Sequence, residues 1–179
     1  MYYSMIYASP VGRLTLASDG DNLVGLWIEG QKYFGGSLDE SMIQDETIPA
    51  LRSAKVWLDR YFAGERPDIS ELSLNPAGSP FRQAVWRILC DIPYGTVMTY
   101  GEIARRMAAQ MGRDHMSGQA VGGAVGHNPI SIIIPCHRVV GSSGSLTGYA
   151  GGIDVKVRLL THEGADISHL FVPKRGTAL

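Results

Sequence analysis

Three helix-start signals, crowded into residues 79–119, limit what the second half of this chain can become. Ser79-Pro80 sets a hydrogen-bonding cap ahead of a proline at the first helical position, where a missing N–H costs nothing. Phe81, Val85, Ile88, Leu89 and Ile92 then mark an amphipathic stripe, ended by Pro93-Tyr94-Gly95. Thr99-Tyr100-Gly101-Glu102 fits the capping box, with Thr99 as N-cap and Glu102 at the third helical position. It predicts a helix to about Met111. Ser117 is a third cap, after a loop from Gly112 to Met116, and opens onto GQAVGGAVG. Two short helices joined by a short loop suggest a helix-turn-helix.

The first half follows a different period. Leu14 and Leu16, then Val24, Leu26 and Ile28, alternate with their neighbours across the turn cluster Asp19-Gly20-Asp21-Asn22, a β-hairpin pattern. A helix is expected from Pro49 to Phe62, with Leu51, Ala54, Leu58, Tyr61 and Phe62 on one face and Gly64 as its stop. Residues 65–78 contain Pro67 and Pro76 and read as a linker. The expected class is α+β. An N-terminal domain of antiparallel β-sheet plus helix (1–74) precedes a mostly helical, winged-helix-like domain (75–170), with a tail at 171–179.

Composition narrows the function classes. No apolar run approaches the ~20 residues that cross a bilayer. The N-terminus lacks the basic start and long apolar block of a signal peptide. Two cysteines give no disulfide framework, so a cytoplasmic protein with free thiols is expected. Charge divides unevenly, with net −5 over residues 1–74 and net +4 over 75–179. The basic half is the better candidate for an anionic partner, and a merely solvated surface accounts for the charge equally well.

The segment from Gly118 to Gly126 is unusual, because each glycine costs ~1 kcal/mol against alanine inside a helix. Val121, Ala124 and Val125 share one face, while Gln119, Gly122, Gly123 and Gly126 fall on the opposite one. That nearly bare face is read three ways: tight packing on another helix, a loop, or entry into a narrow groove. The DNA minor groove, ~6 Å wide, excludes a helix with bulky side chains.

Ile130 to Ile134 is apolar and β-branched apart from Ser131, and reads as a buried strand or extended segment. It delivers Pro135-Cys136-His137-Arg138. A thiol at the end of a rigid segment is held in place, and a reactive thiol needs a base or positive charge nearby. Ile153, Lys156, Val157 and Leu160 mark a helix ended by Gly164, so Glu163 lies in its last turn, where the helix dipole disfavours a carboxylate. Cys136, His137 and Glu163 fit a nucleophile–base–orienter relay, and a plain exposed glutamate fits Glu163 as well. Cys90, beside the first stripe, reads as a small buried hydrophobe. No metal site is expected: there is no CxxC pair, and His115, His127, His137, His162 and His169 lack ligand-like spacing.

Pro135-Cys136-His137-Arg138-Val139 resembles the active-site motif of the O6-alkylguanine-DNA alkyltransferases, the methylated-DNA–protein-cysteine S-methyltransferases. SPFRQAVWRILCDIPYGTVMTYGEIA, AVGGAVGHNPI, GYAGG and LLTHEG are similar to this family in the same order, over about residues 76–165. The first half, ending in LDRYFAGERP, is similar to its more variable N-terminal domain. The resemblance implies direct-reversal DNA repair. The alkyl group of O6-alkylguanine, and of O4-alkylthymine, passes irreversibly to one cysteine, once per molecule. The lesion is flipped out of duplex DNA that a helix-turn-helix holds in its minor groove.

By that resemblance Cys136 is the nucleophile, His137 the base acting through a water, and Glu163 its orienter. Tyr100 supplies a proton or hydrogen bond to the departing guanine. Asn128 braces the turn. The carbonyls of Cys136 and Val139, together with Tyr149 and the N–H of Ala150, contact the base, and Arg138 ties the pocket together. Gln119, Ala120, Gly122, Gly123 and Gly126 face the DNA. The resemblance departs at Gln119, which matches an arginine that fills the gap left by the flipped base. Glutamine lacks the charge and the stacking plane, and Arg113 in the preceding loop is a cation available to assist. No cofactor is implied, nor a zinc site, since residues 1–74 hold no Cys or His. No obligate protein partner is evident, and a monomer is expected. The other classes are a Cys–His hydrolase or acyltransferase acting on a small molecule, and a non-enzymatic helix-turn-helix DNA binder.

Overall fold

The chain's longest strand is one that the alternation pattern passes over. In the computed structural model, which describes residues 1–36, 38 and 41–173, strand β1 runs Tyr2–Ser9 and pairs antiparallel along its length with β2, Gly12–Ser18. Only Met5 and Tyr7 of β1 are buried, and most of its other residues are half-buried, so no clean alternation marks it. The expected hairpin joins β2 to β3, Leu23–Ile28. Asp19 Oδ1 accepts the N–H groups of Asp21 and Asn22 in its turn, and Gly20 takes φ +107°. A short β4, Met42–Gln44, lies parallel to β1. The sheet, in order β3-β2-β1-β4, is therefore mixed, and the antiparallel expectation holds for β1 to β3 only.

Every residue of β3 is buried although it is the last strand of the sheet. Its outer backbone groups are satisfied by chain that is not strand. Ser73 O accepts from Leu23 N and Leu23 O from Asn75 N; Pro129 O accepts from Leu26 N and Leu26 O from Ser131 N. Covering an edge in this way removes a template for unwanted pairing. It also corrects the buried strand or extended segment expected at Ile130–Ile134. Ile130 makes one isolated bridge to Leu26; residues 131–133 then turn, with Ile132 at φ 70°. A β-branched residue in the left-handed region is strained, at about 1–3 kcal/mol. The segment is buried because it caps an edge, and its apolar content does not make it a strand.

Helix α1, Pro49–Phe62, buries Leu51, Ala54, Trp57, Leu58 and Tyr61, and Gly64 at φ +91° ends it. Trp57 joins the expected stripe by donating its ring N–H to Asp68 O at 2.9 Å. The chain forms two compact units, residues 1–77 with 129–133, and residues 78–128 with 134–179.

In the second unit the caps hold at atomic detail. Ser79 accepts from Arg82 N at the start of α2, Pro80–Cys90; Thr99 and Glu102 form both halves of the capping box of α3, Tyr100–Gln110; Ser117 accepts from Ala120 N at the start of α4, Gly118–Gly126. Helices α2 and α4 are tied by Trp86, whose indole N–H donates to Ala124 O at 2.8 Å. Two residues, Met98–Thr99 (β5), pair parallel with Val139–Val140 (β6). Helix α5, Ile153–His162, follows, with Gly164 at φ +73° beyond it. The α3–α4 pair makes the helix-turn-helix. Among the described residues no helix is long and apolar enough to cross a membrane.

Candidate active site

Pairing of β5 with β6 assembles the site. Strand β5 runs straight into Tyr100, and β6 begins directly after a single 3-10 turn, Cys136–Arg138. Pro135 precedes that turn, whose backbone is held by Cys136 N to Ile134 O at 2.8 Å and Arg138 N to Pro135 O at 3.0 Å. Asn128, just past the end of α4, donates its side-chain amide to Ile134 O at 2.8 Å. The thiol therefore sits on backbone fixed from both sides.

His137 is fully buried and shares a 2.7 Å contact between Nε2 and Glu163 Oε2. Glu163 is buried too, and also takes the Arg138 guanidinium in bidentate fashion, Nε on Oε1 at 2.8 Å and Nη2 on Oε2 at 3.0 Å, with Gly95 N on Oε1 at 3.2 Å. Arg138 Nη1 donates to Ile92 O at 2.7 Å, and its guanidinium lies 5.7 Å from the Tyr94 ring centroid. Burial works to raise the Glu163 carboxyl, but the hydrogen bonds and charges of His137 and Arg138 outweigh it and hold it well below the ordinary carboxylate range. An ionised Glu163 can only accept, so Nε2 carries the hydrogen and Nδ1 keeps its lone pair. Nδ1 is buried with no hydrogen-bond partner among the described residues. Burial pushes His137 below its ordinary value, against the pull of Glu163. The ring is thus a neutral base with an open lone pair, next in sequence to the thiol.

Burial raises the Cys136 thiol, opposed by a hydrogen bond from Asn128 and by the charge of Lys156. In the sequence Lys156 is one position of a helical stripe. It is fully buried, its Nζ donating to Val139 O at 2.5 Å and Thr147 O at 3.2 Å. Burial lowers it to about 8, and the neighbouring Cys136 works the other way. The signal that could have found it is a lysine in register with Ile153, Val157 and Leu160, on a side a lysine ordinarily avoids. Val139 O keeps one lone pair beyond the one given to Lys156. Tyr100 is buried and reaches Thr147 O at 3.4 Å; burial, then the nearby Cys136, raises its phenol well above the ordinary value. Tyr149 has a buried hydroxyl without a partner among the described residues, and Ala150 is half-buried next to it. Cys90 is half-buried and pushed up to about 11, chiefly by burial.

On α4, Val121, Ala124 and Val125 are buried, and Gln119 and Ala120 are exposed. Gly123 and Gly126 are half-buried. Gly122 belongs to the buried side, which corrects its expected outward place. It lies one residue from Val121 on the wheel, and 100° per residue leaves it at the margin of the packed face. A Cβ built at Gly118 or Gly123 meets nothing within 4 Å. The bareness there is open space, which removes tight helix packing as its reason.

The family descriptions "6-O-methylguanine DNA methyltransferase, ribonuclease-like domain" and "6-O-methylguanine DNA methyltransferase, DNA binding domain" match residues 1–76 and 80–165. A methylated-DNA–protein-cysteine methyltransferase of Haemophilus influenzae is 40% identical over 91% of this chain and 86% of its own length. One from Methanosarcina acetivorans is 41% identical over 92% of this chain and 99% of its own. Among solved structures, Mycobacterium tuberculosis OGT in complex with DNA superimposes with TM-score 0.76 at 40% identity, covering 95% of this chain and 98% of that one. With both halves matched and the thiol, imidazole and carboxylate gathered as described, the chain belongs to the 6-O-methylguanine DNA methyltransferase family.

Proposed function

We propose that Cys136 takes the alkyl group from O6-alkylguanine, and from O4-alkylthymine, in duplex DNA, once per molecule. One observation carries this reading: the buried, unpartnered Nδ1 of His137, on a ring whose other nitrogen is fixed to Glu163. The Cys136 proton passes through a water to Nδ1, and Glu163 stabilises the imidazolium that forms. The Lys156 ammonium and the Asn128 amide favour the thiolate against the cost of burial. Sulfur then attacks the alkyl carbon, the C–S bond forms as C–O6 breaks, and the electron pair stays with the guanine. Tyr100 protonates the departing base and recovers its proton from the imidazolium through solvent, so one proton leaves the thiol and one reaches guanine. The product thioether has no leaving group that would restore the thiol.

The carbonyls of Cys136 and Val139, with Tyr149 and the Ala150 N–H, hold the flipped base, and Arg138 keeps Glu163 in place. Duplex DNA is the partner. Helix α4 enters its minor groove, with Gln119 at the gap and Ala120, Gly123 and Gly126 along the groove wall. The open space beside Gly118 and Gly123 supports that approach. Residues 75–170 carry both DNA binding and alkyl acceptance, residues 1–74 support them, and the molecule works as a cytoplasmic monomer.

The test is the mass of the Cys136 peptide after incubation with O6-methylguanine duplex DNA. A stoichiometric gain of one CH2, absent in Cys136→Ala, is expected. Catalytic turnover with an unmodified final Cys136 points instead to a Cys–His hydrolase or acyltransferase, and DNA binding with an inert thiol to a simple DNA binder.

A further inference from the structure

Beside the recognition helix lies a groove that the alkyl-transfer chemistry does not use. It is open, about 460 Å3, and runs between α3, the loop that follows it, and the first residue of α4. Arg105 contributes from α3, Arg113 and His115 from the loop, and Gly118 from α4; Asp114 is the one acid on its wall. Among the described residues neither Arg105 nor Arg113 makes an ion pair or hydrogen bond with a carboxylate. Both are exposed, so their charge is presented outward. Ala104, Ala108 and Ala109 supply small side chains to the groove's lining. Arg105 lies back along its helix, with Nη1 3.5 Å from where a Cβ on Gly101 would stand.

Guanidinium groups free of carboxylate partners, set in a recess rather than on a convex face, suit a polyanion's backbone oxygens. The groove and α4 share Gly118.

We propose that Arg105 and Arg113, with His115 as a ring N–H donor, grip backbone phosphates of the DNA strand flanking the lesion. This rests on the DNA-binding reading above. It supplies, from the α3–α4 loop, the cationic contact that Gln119 does not make. Phosphate contacts hold register without reading sequence, so the grip is indifferent to the base and acts on undamaged duplex too.

Binding of a fluorescein-labelled, unmodified duplex, followed by anisotropy across a salt series, tests it. The double variant Arg105→Gln/Arg113→Gln is expected to bind on the order of tenfold or more weakly near 0.1 M salt, with a slope of log K against log salt shallower by about 0.9 for each phosphate no longer neutralised. Arg105→Lys/Arg113→Lys, which keeps the charges, recovers most of the slope. Arg52→Gln, which removes one charge from the exposed side of α1, is the control for net charge and changes both little. Thermal unfolding of each variant establishes that it is folded, and substitutions at exposed positions leave that midpoint in place. Unchanged affinity and slope in the folded double glutamine variant overturn the groove as a phosphate site. So does a loss in Arg52→Gln half as large as in the double variant, because bulk charge then suffices. If the unaltered protein does not bind duplex at all, the DNA-binding reading falls and takes this one with it; binding by the unaltered protein with no loss in the variant removes the groove alone.

Discussion

The two units bury different things. In the first, the buried polar side chains among the described residues are Ser18, Gln31 and Ser131, all uncharged types, around a core of leucine, isoleucine and tryptophan. In the second, they include His137, Arg138, Lys156 and Glu163, with His137 and Arg138 both held by the Glu163 carboxylate. Buried ion pairs are weak sources of stability, because desolvation offsets most of the Coulombic gain. Lys156 is costlier still, since its ammonium donates to carbonyls rather than to a carboxylate. The first unit is organised for stability and the second spends part of its core on chemistry, which is where departures from good packing rules are expected.

The largest way to break that contrast is Glu163→Gln. It leaves Arg138 buried without its countercharge, and should destabilise by about 3–5 kcal/mol in urea unfolding. A loss under about 1 kcal/mol, the size typical of an exposed pair, would mean that the cluster is solvated in practice, and the contrast fails. Next is Leu16→Ala in β2, where the side chain is fully buried. It should cost about 2–5 kcal/mol, while the folded fraction still accepts alkyl groups at the normal rate. A folded Leu16→Ala protein with a slowed Cys136 would show that the sheet is part of the chemical machinery.

Acid sharpens the same division. His137 is held below its ordinary value by burial, so the unfolded chain takes up its proton first. The stability it contributes is complete above about pH 6.5 and is lost as pH falls below that, by at most about 1.4 kcal/mol per pH unit. Glu163 acts in the same direction lower down: its contribution is present above the ordinary carboxylate range and is lost as pH falls through it. The lowered carboxylates of the first unit include Asp19, where hydrogen bonds from Asn22 overcome burial, and Asp45 and Asp68, lowered by hydrogen bonds from Thr47 and Ser70, and all act only in that lower range. Urea unfolding of His137→Gln between pH 7.5 and 5 should therefore show a shallower decline than the unaltered protein, and an equal decline assigns the effect elsewhere. The smallest expected effect is Gln119→Arg, a few-fold gain in duplex affinity or repair rate; no gain in either removes the significance attached to that position.

Much of the second unit was legible because helix starts are local. Ser79, Thr99 with Glu102, and Ser117 each satisfy backbone N–H groups within three residues, so neighbours in sequence suffice to read them. The hairpin of β2 and β3 was legible for the same reason, through the turn at Asp19–Asn22. Strand β1 was not, because with most of its residues half-buried no alternation appears. The Cys136–His137–Glu163 association could be suggested by a carboxylate at an unfavourable helix end, but not distinguished from an ordinary exposed glutamate. Lys156 was hidden by its type, since lysine on a helix is usually on the solvated face.

By itself the sequence determined that a cysteine directly follows Pro135 and directly precedes His137 and Arg138, where α2 to α5 begin, and that α4 is rich in glycine. Those are properties of single residues and of neighbours a few positions apart. Only the tertiary structure decided that Gly122 turns inward, that Ile130–Ile134 caps a sheet edge instead of forming a strand, and that Glu163 closes on His137 and Arg138 from 25 or more positions away. Contacts at that separation depend on how elements pack, and the burial and charged partners that shift each group in the site exist only once they have packed.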